Sequence, residues 1–504
     1  MKNSLSRRSF GLLSGSALVL PGVLTSEAAA QATAGGSKAG APLGLVAETR
    51  TLEVNGKAAR VFGLRGPDGR HGLSLAPGER FRVALHNQTG HNQAGVRTII
   101  HWHGQPAPWQ QDGFPWPQTP PLAVGATRQF DFEPIAGTFW MHSHQGLQEQ
   151  QLMAAPLIIH SAAELREDRQ EIVLMLHDFS FESPDALLAG LNHQPVGQIH
   201  EAMRMAENAP VPKHAPKYVK LKKSGKISMP PELNDITYDA FLANDRTLDD
   251  PAVVRVDQRG KVRLRIINGS ASSQFWIDLG RLHGRVVAVD GHGVHPVAGR
   301  IFPIAIAQRL DILVDLPTTA GAFPIMATLE GTTRRTGIIL AQQNAAIGRV
   351  SPTAAHQAPP VDNSLETRLV ATAPLKPRHA DLVHKIALAG SMAPFRWSLD
   401  KQYWPSITPL MLKKGQRVEI ELINHSMMAH PMHLHGHSFQ VIEVDGQKIN
   451  GAMRDTVLVP GKKGAQVRIA FDADNPGRWA FHCHNLYHMA AGMMTEFRYH
   501  GIPV

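Results

Sequence analysis

One pattern occurs three times along this chain and governs what it can fold into. A glycine opens a strand of alternating polarity that closes on asparagine: Gly78-Glu79-Arg80-Phe81-Arg82-Val83-Ala84-Leu85-His86-Asn87, then Gly260 to Asn268, then Gly415 to Asn424. Each copy continues into a second glycine-led strand, Gly137 to His144, Gly321 to Thr328 and Gly477 to His484. Side chains alternate faces along a strand, so a period of two marks strands with one buried face. With turns every eight to twelve residues or so, the pattern predicts an all-β protein of three Greek-key β-sandwich domains. The length of 504 residues agrees, since it exceeds what one core can serve. The 44 glycines and 36 prolines agree as well, because they supply turns, and long helical periodicity is scarce.

The copies set the boundaries: domain 1 over 43–162, domain 2 over 163–345, an Ala/Pro/Gln-rich linker over 346–364, and domain 3 over 365–504. Domain 2 carries a long irregular insertion over about 179–235. Its run of Lys213, Lys217, Lys220, Lys222, Lys223 and Lys226 lacks interleaved aromatics, so it reads as a solvated loop and not as a nucleic-acid surface. Residues 1–30 read as a twin-arginine leader: Ser6-Arg7-Arg8-Ser9-Phe10, an apolar stretch to Leu24, and Ala28-Ala29-Ala30 as the cleavage site. Residues 31–42 follow as a flexible lead-in. The expected location is the periplasm, reached through the twin-arginine export machinery. No later stretch is apolar and long enough to anchor the chain in a membrane.

The copies differ where chemistry would sit. The first ends in His142-Ser143-His144, the third in His482-Cys483-His484, and the second in Met326-Ala327-Thr328, which keeps no ligand. Four His-x-His pairs that share no residue occur: His101/His103, His142/His144, His433/His435 and His482/His484. Strand alternation puts both members of each pair on one face. Half come from domain 1 and half from domain 3, so those domains must touch, with the imidazoles in the seam. Cys483 is the only cysteine. A lone thiol in an oxidising compartment is a liability unless a metal occupies it. It points away from His482 and His484, so one strand can feed two metal sites. A cysteine, two histidines and a weak thioether form the ligand set of a blue copper centre. Cys483, His488 and Met493 supply three of these, and His430 completes the set.

The runs HWHG at 101–104, WMHSH at 140–144, HPMHLHGH at 430–437 and HCHNLYHMAAGM at 482–493 resemble the four copper signatures of the three-domain multicopper oxidases, which include laccases, cuprous oxidases and copper-resistance oxidases. The likeness extends over nearly the whole mature chain and implies cupredoxin-like domains. It also implies four copper ions. The type 1 ion would take His430, Cys483, His488 and Met493. The type 2 ion would take His101 and His433. The two type 3 ions would take His103, His142 and His484, and His144, His435 and His482. Asp112 stands where many relatives carry an acid that feeds protons to oxygen. Some relatives also carry an acid directly after the second type 1 histidine; here that residue is Met489.

The function implied is one-electron oxidation of a small donor coupled to four-electron reduction of O2 to water. Met427, Met428, Met432, Met489 and Met494 lie near the type 1 ligands in sequence, and His200, Met203 and Met205 lie in the insertion. Thioethers favour Cu(I), so cuprous ion is the expected donor. The alternatives are laccase-like oxidation of phenols or aromatic amines, and a periplasmic copper-sequestering protein.

Overall fold

The computed structural model describes residues 41–90, 95–192 and 233–503. The leader, nearly all of the lead-in and most of the insertion, with its lysines and His200, Met203 and Met205, lie outside the described residues. Residues Pro42–Val504 form one compact unit.

The chain is all-β, built from three pairs of sheets in chain order. In the first, Lys57–Arg65, Leu43–Val54, Phe81–Gln88 and Thr127–Phe132 form one sheet, and Leu73–Leu75, Ala154–Ile159, Gly137–Ser143 and Ile100–His103 form the other. The glycine-to-asparagine strand holds the same place in every pair. Phe81–Gln88 runs parallel to Leu43–Val54, Lys261–Asn268 to Gln170–Phe179, and Arg417–Asn424 to Leu382–Met392. Each then pairs antiparallel with a strand on its other side. Parallel neighbours cannot be joined by a tight turn, so each copy crosses between its two sheets, as a Greek key requires.

The alternating residues do what their period predicts. Phe81, Val83 and Leu85 are buried, and Phe81 meets Trp102 of the facing sheet edge-on with ring centroids 4.8 Å apart. The repeated asparagine has its own physical reason. Asn87, Asn268 and Asn424 are fully buried at strand ends. Each accepts from the backbone N–H two residues on, at 3.1, 3.2 and 2.8 Å, and its amide donates to carbonyls across the turn. An Asx turn thus ends the strand three times over.

The insertion is less irregular than the sequence implies. Its first part is the helix Pro184–Asn192, with proline in the first turn, Asp185 beside the helix N-terminus, and Leu188 and Ala189 buried in the core. Loop-like composition further along masks this short amphipathic turn. The linker segment lies against the second sheet pair: Arg335 N donates to Pro352 O at 2.9 Å, and Val361 N donates to Glu330 Oε2 at 2.7 Å. Among the described residues no helix is long and apolar enough to cross a membrane.

Candidate metal centre

Strand register brings the histidine pairs together. Ile100–His103 lies antiparallel to Gly137–Ser143 with His101 opposite His142. In the third sheet pair His430–Leu434 lies antiparallel to Arg478–Cys483, with His433 opposite His482 and Met432 opposite Cys483. All eight imidazoles are buried. Those from the two ends of the chain interleave: His101 stacks on His435 with centroids 3.8 Å apart, and His103 on His433 at 3.7 Å. The second sheet pair contributes none, as its sequence predicts.

Hydrogen bonds decide which nitrogens face inward. His101 Nδ1 donates to Asp112 O, His433 Nδ1 to Asp455 O, and His435 Nδ1 to Asp112 Oδ2, each at 2.8 Å. His482 Nδ1 donates to Cys483 O at 3.0 Å. Carbonyls and carboxylates only accept, so these Nδ1 atoms carry the protons and the Nε2 atoms carry lone pairs. His435 Nε2 lies 3.1 Å from His482 Nε2, and His101 Nε2 lies 3.4 Å from His433 Nε2. Burial, with the neighbouring imidazoles, holds His433 and His435 well below the usual histidine range, and burial takes His482 to about 4. Protons are thus disfavoured between the facing lone pairs, and a metal cation suits the gap. Two nitrogens about 2.0 Å from one ion, at a roughly tetrahedral or trigonal angle, stand about 3.3–3.5 Å apart, close to both spacings. His142, His144 and His484 each present a buried Nε2 with no hydrogen-bond partner. His103 is the exception: its Nε2 donates to Asp455 Oδ1 at 2.9 Å, and its Nδ1 is the unpartnered atom.

On the other side of the strand, Cys483 Sγ lies 3.7 Å from His430 Nδ1 and 3.6 Å from His488 Nδ1. Metal–sulfur and metal–nitrogen bonds of about 2.3 and 2.0 Å at a trigonal angle give about 3.7 Å. The outer nitrogens face polar partners. His430 Nε2 donates to Ser426 Oγ at 2.8 Å, and His488 Nε2 lies 3.1 Å from Asp235 Oδ2 without an aligned hydrogen bond. Burial pushes the Cys483 thiol far up, so the metal-free protein carries the neutral thiol and a bound cation must displace its proton. Met493 is fully buried and its carbonyl accepts from Cys483 N at 3.1 Å, which ties the residue to this site.

Asp112 is buried at the seam. Its Oδ2 receives His435 Nδ1, and its Oδ1 lies 3.3 Å from His101 Nδ1. Three further buried acids were not legible as site residues. Glu149, in the 3-10 turn Gln148–Gln151, sets Oε2 2.7 Å from His142 Nδ1 without an aligned hydrogen bond. Burial and nearby Asp178 raise its carboxyl well above the usual range. Asp235, at the end of the insertion, faces His488, and Asp455 faces His103. No local motif marks any of them; the short spacing of Glu149 from His144 is the one available signal.

Known protein families bear on this site. Three models described as "Multicopper oxidase" match residues 54–164, 212–352 and 377–500. The multicopper oxidase MmcO of Mycobacterium tuberculosis is 31% identical over 420 residues, covering 81% of this chain and 78% of that protein. Copper resistance protein A of Escherichia coli is 26% identical, covering 81% and 85%. Among solved structures, Fet3p, a multicopper oxidase that functions in iron import, superposes with a TM-score of 0.72 at 18% identity, covering 91% of this chain and 90% of that one.

Proposed function

This chain belongs to the multicopper oxidase family, and from that premise we propose that it is an exported cuprous oxidase that uses four copper ions. As a copper oxidoreductase it binds copper; the number of ions, their allocation and the donor are our reading. The three sheet pairs serve as three domains with the boundaries given above. The type 1 ion takes His430, Cys483, His488 and Met493, and the type 2 ion takes His101 and His433. The type 3 ions take His103, His142 and His484, and His144, His435 and His482. When bound, copper supplies the one-electron couple that draws electrons from a donor beside Cys483 and delivers four of them to O2 among the histidines.

The observation that carries this reading is the position of Cys483. Its side chain stands between His430 and His488, while its chain neighbours His482 and His484 both lie in the histidine cluster. An electron leaving the thiolate therefore has an almost wholly covalent path. The chain's residues do the rest by holding geometry. The hydrogen bonds from Nδ1 fix the imidazole planes, and burial excludes water. Asp112, touching imidazoles assigned to the type 2 and type 3 sites, is our candidate for delivering protons to oxygen.

Cuprous ion is favoured as donor because relatives include proteins named for copper resistance. A carboxylate, Asp235, also lies against the outer edge of His488, where a cation would be drawn. The methionines differ in exposure. Met428, Met432, Met493 and Met494 are buried, Met489 is half-buried, and Met427, three residues before His430, is 59% exposed and free to meet a soft ion. The leader pattern at 1–30 supports export to the periplasm. The test is turnover of Cu(I) and of a phenol on one copper-loaded sample. Rapid Cu(I) oxidation with slow phenol turnover is expected. Rapid phenol turnover without added copper, with poor Cu(I) oxidation, would make the protein a laccase. Copper binding without O2 consumption would make it a sequestering protein.

A further inference from the structure

The second sheet pair holds none of the eight imidazoles, yet one of its side chains reaches the acid that orients one of them. Arg309, at the start of Arg309–Asp315, is fully buried. Its Nη1 donates to Asp455 Oδ1 at 2.8 Å, and its Nη2 donates to Oδ2 of the same carboxylate. Its Nε donates to Thr138 O of the first sheet pair at 3.2 Å. Asp455 Oδ1 is the atom that receives His103 Nε2 at 2.9 Å, and Thr456 Oγ1 donates to it at 2.9 Å. Behind Arg309 the network continues: its backbone N–H donates to Asp290 Oδ1 at 2.8 Å, and Arg454 Nη1 donates to Asp290 Oδ2 at 3.0 Å. There is no slack around the pair. A Cβ on Gly104 would sit 2.4 Å from Asp455 Oδ2 and 2.8 Å from Arg309 Nη2.

This bond has a consequence for the cluster. His101, His433, His435 and His482 donate from Nδ1 and turn Nε2 inward. Within the cluster, His103 alone donates from Nε2 to an acid and offers Nδ1. The choice between its two nitrogens rests on Asp455 keeping one oxygen in line with the ring. The terminal torsion of an aspartate is broad, so an unsupported carboxylate could swing. A guanidinium that engages both oxygens in parallel fixes its plane. Such an outer partner sets tautomer and ring orientation at a metal site.

We propose that Arg309 is a positioning residue for the histidine cluster: by fixing Asp455 it makes His103 face the cluster through Nδ1. This rests on the copper allocation above. It assigns the second domain, which contributes none of the eight imidazoles, a part in shaping the oxygen-reducing site.

The test is Arg309→Lys, which keeps the charge and replaces the planar fork with a point charge. Copper per chain, the blue absorption and the share of copper visible by electron paramagnetic resonance are measured on purified, copper-loaded protein. In the wild type half the copper is expected to be silent, because the two type 3 ions are magnetically coupled. In Arg309→Lys the blue band should persist, while the visible share rises from half towards all, or copper per chain falls. A purely structural arginine would lower the melting temperature alone. A variant with full copper and a wild-type silent fraction therefore overturns the proposal, however unstable it is. If Arg309→Lys does not fold, Asp455→Asn is measured the same way; it cannot accept at both positions, so the same rise is expected and an unchanged silent fraction overturns the proposal. Should the wild type itself lack a silent fraction, the copper allocation fails, and the role of Arg309 with it.

Discussion

Cys483 is one residue in two sites: its sulfur belongs to one and its peptide bonds join it to the other. Cys483→Ser should therefore separate them. We expect the intense visible band of the copper–thiolate bond to vanish while the histidine cluster still loads, read by absorption and copper analysis together. The buried imidazoles make a second prediction, for the metal-free protein. His482 has a folded value of about 4 against 6.5 unfolded, and His433, His435 and His144 shift the same way. Between those values the unfolded chain binds more protons than the folded one, so stability is full above about 6.5 and declines as pH falls towards 4. His482 alone accounts for a loss on the order of 3 kcal/mol across that window. Denaturant melts of apo-protein at pH 7.5 and pH 5 should differ by at least this direction. A flat profile would mean that the imidazoles are not held neutral.

At the scale of elements, the short helix Leu486–Ala490 carries His488 to the thiol. Asn485 caps it, accepting from Tyr487 N at 3.1 Å and His488 N at 3.3 Å, and its Nδ2 donates to Asp235 Oδ2 at 2.9 Å. Asn485→Ala should cost about 1 kcal/mol through the lost cap. It should also shift the blue band or the reduction potential, because Asp235 and His488 lose a shared anchor. Unchanged optical and redox properties would limit Asn485 to stability. The strands themselves were legible, since period-two alternation and the repeated glycine and asparagine are local signals. So were the eight clustered histidines, since each His-x-His pair sits within one strand or at its end. The acids were not. Asp235 meets Asn485 across 250 residues, and Asp455 meets His103 across 352. A single buried carboxylate leaves no periodic trace, and only tertiary packing selects its partner.

At the scale of the whole molecule, the cluster spans the first and last sheet pairs. Copper bound there favours only the arrangement in which both are docked, and ligand at about a thousand times its dissociation constant adds about 4 kcal/mol. Copper removal should lower the melting temperature and split the transition, visible by calorimetry. Equal melting of apo and loaded protein would contradict a shared site. His144→Ala should leave a blue centre that bleaches on reduction and regains colour in air slowly or not at all, followed by stopped-flow absorption. Fast recolouring would place oxygen reduction elsewhere.

The facing pair His101 and His433 also imposes an order of events on synthesis, because 332 residues separate them. A chain made from its N-terminus at about 5–20 residues per second carries the first four imidazoles for roughly 15 to 60 s before the first of their partners exists. During that interval the growing chain offers strand-edge histidines without Asp455, which will later orient His103, and without the rings that will face them. Closure of the site is thus one of the last steps in folding, since it waits for a contact across 332 residues. A chain released before its final strands would have every element of the first sheet pair and an incomplete cluster, without His482, Cys483 and His484.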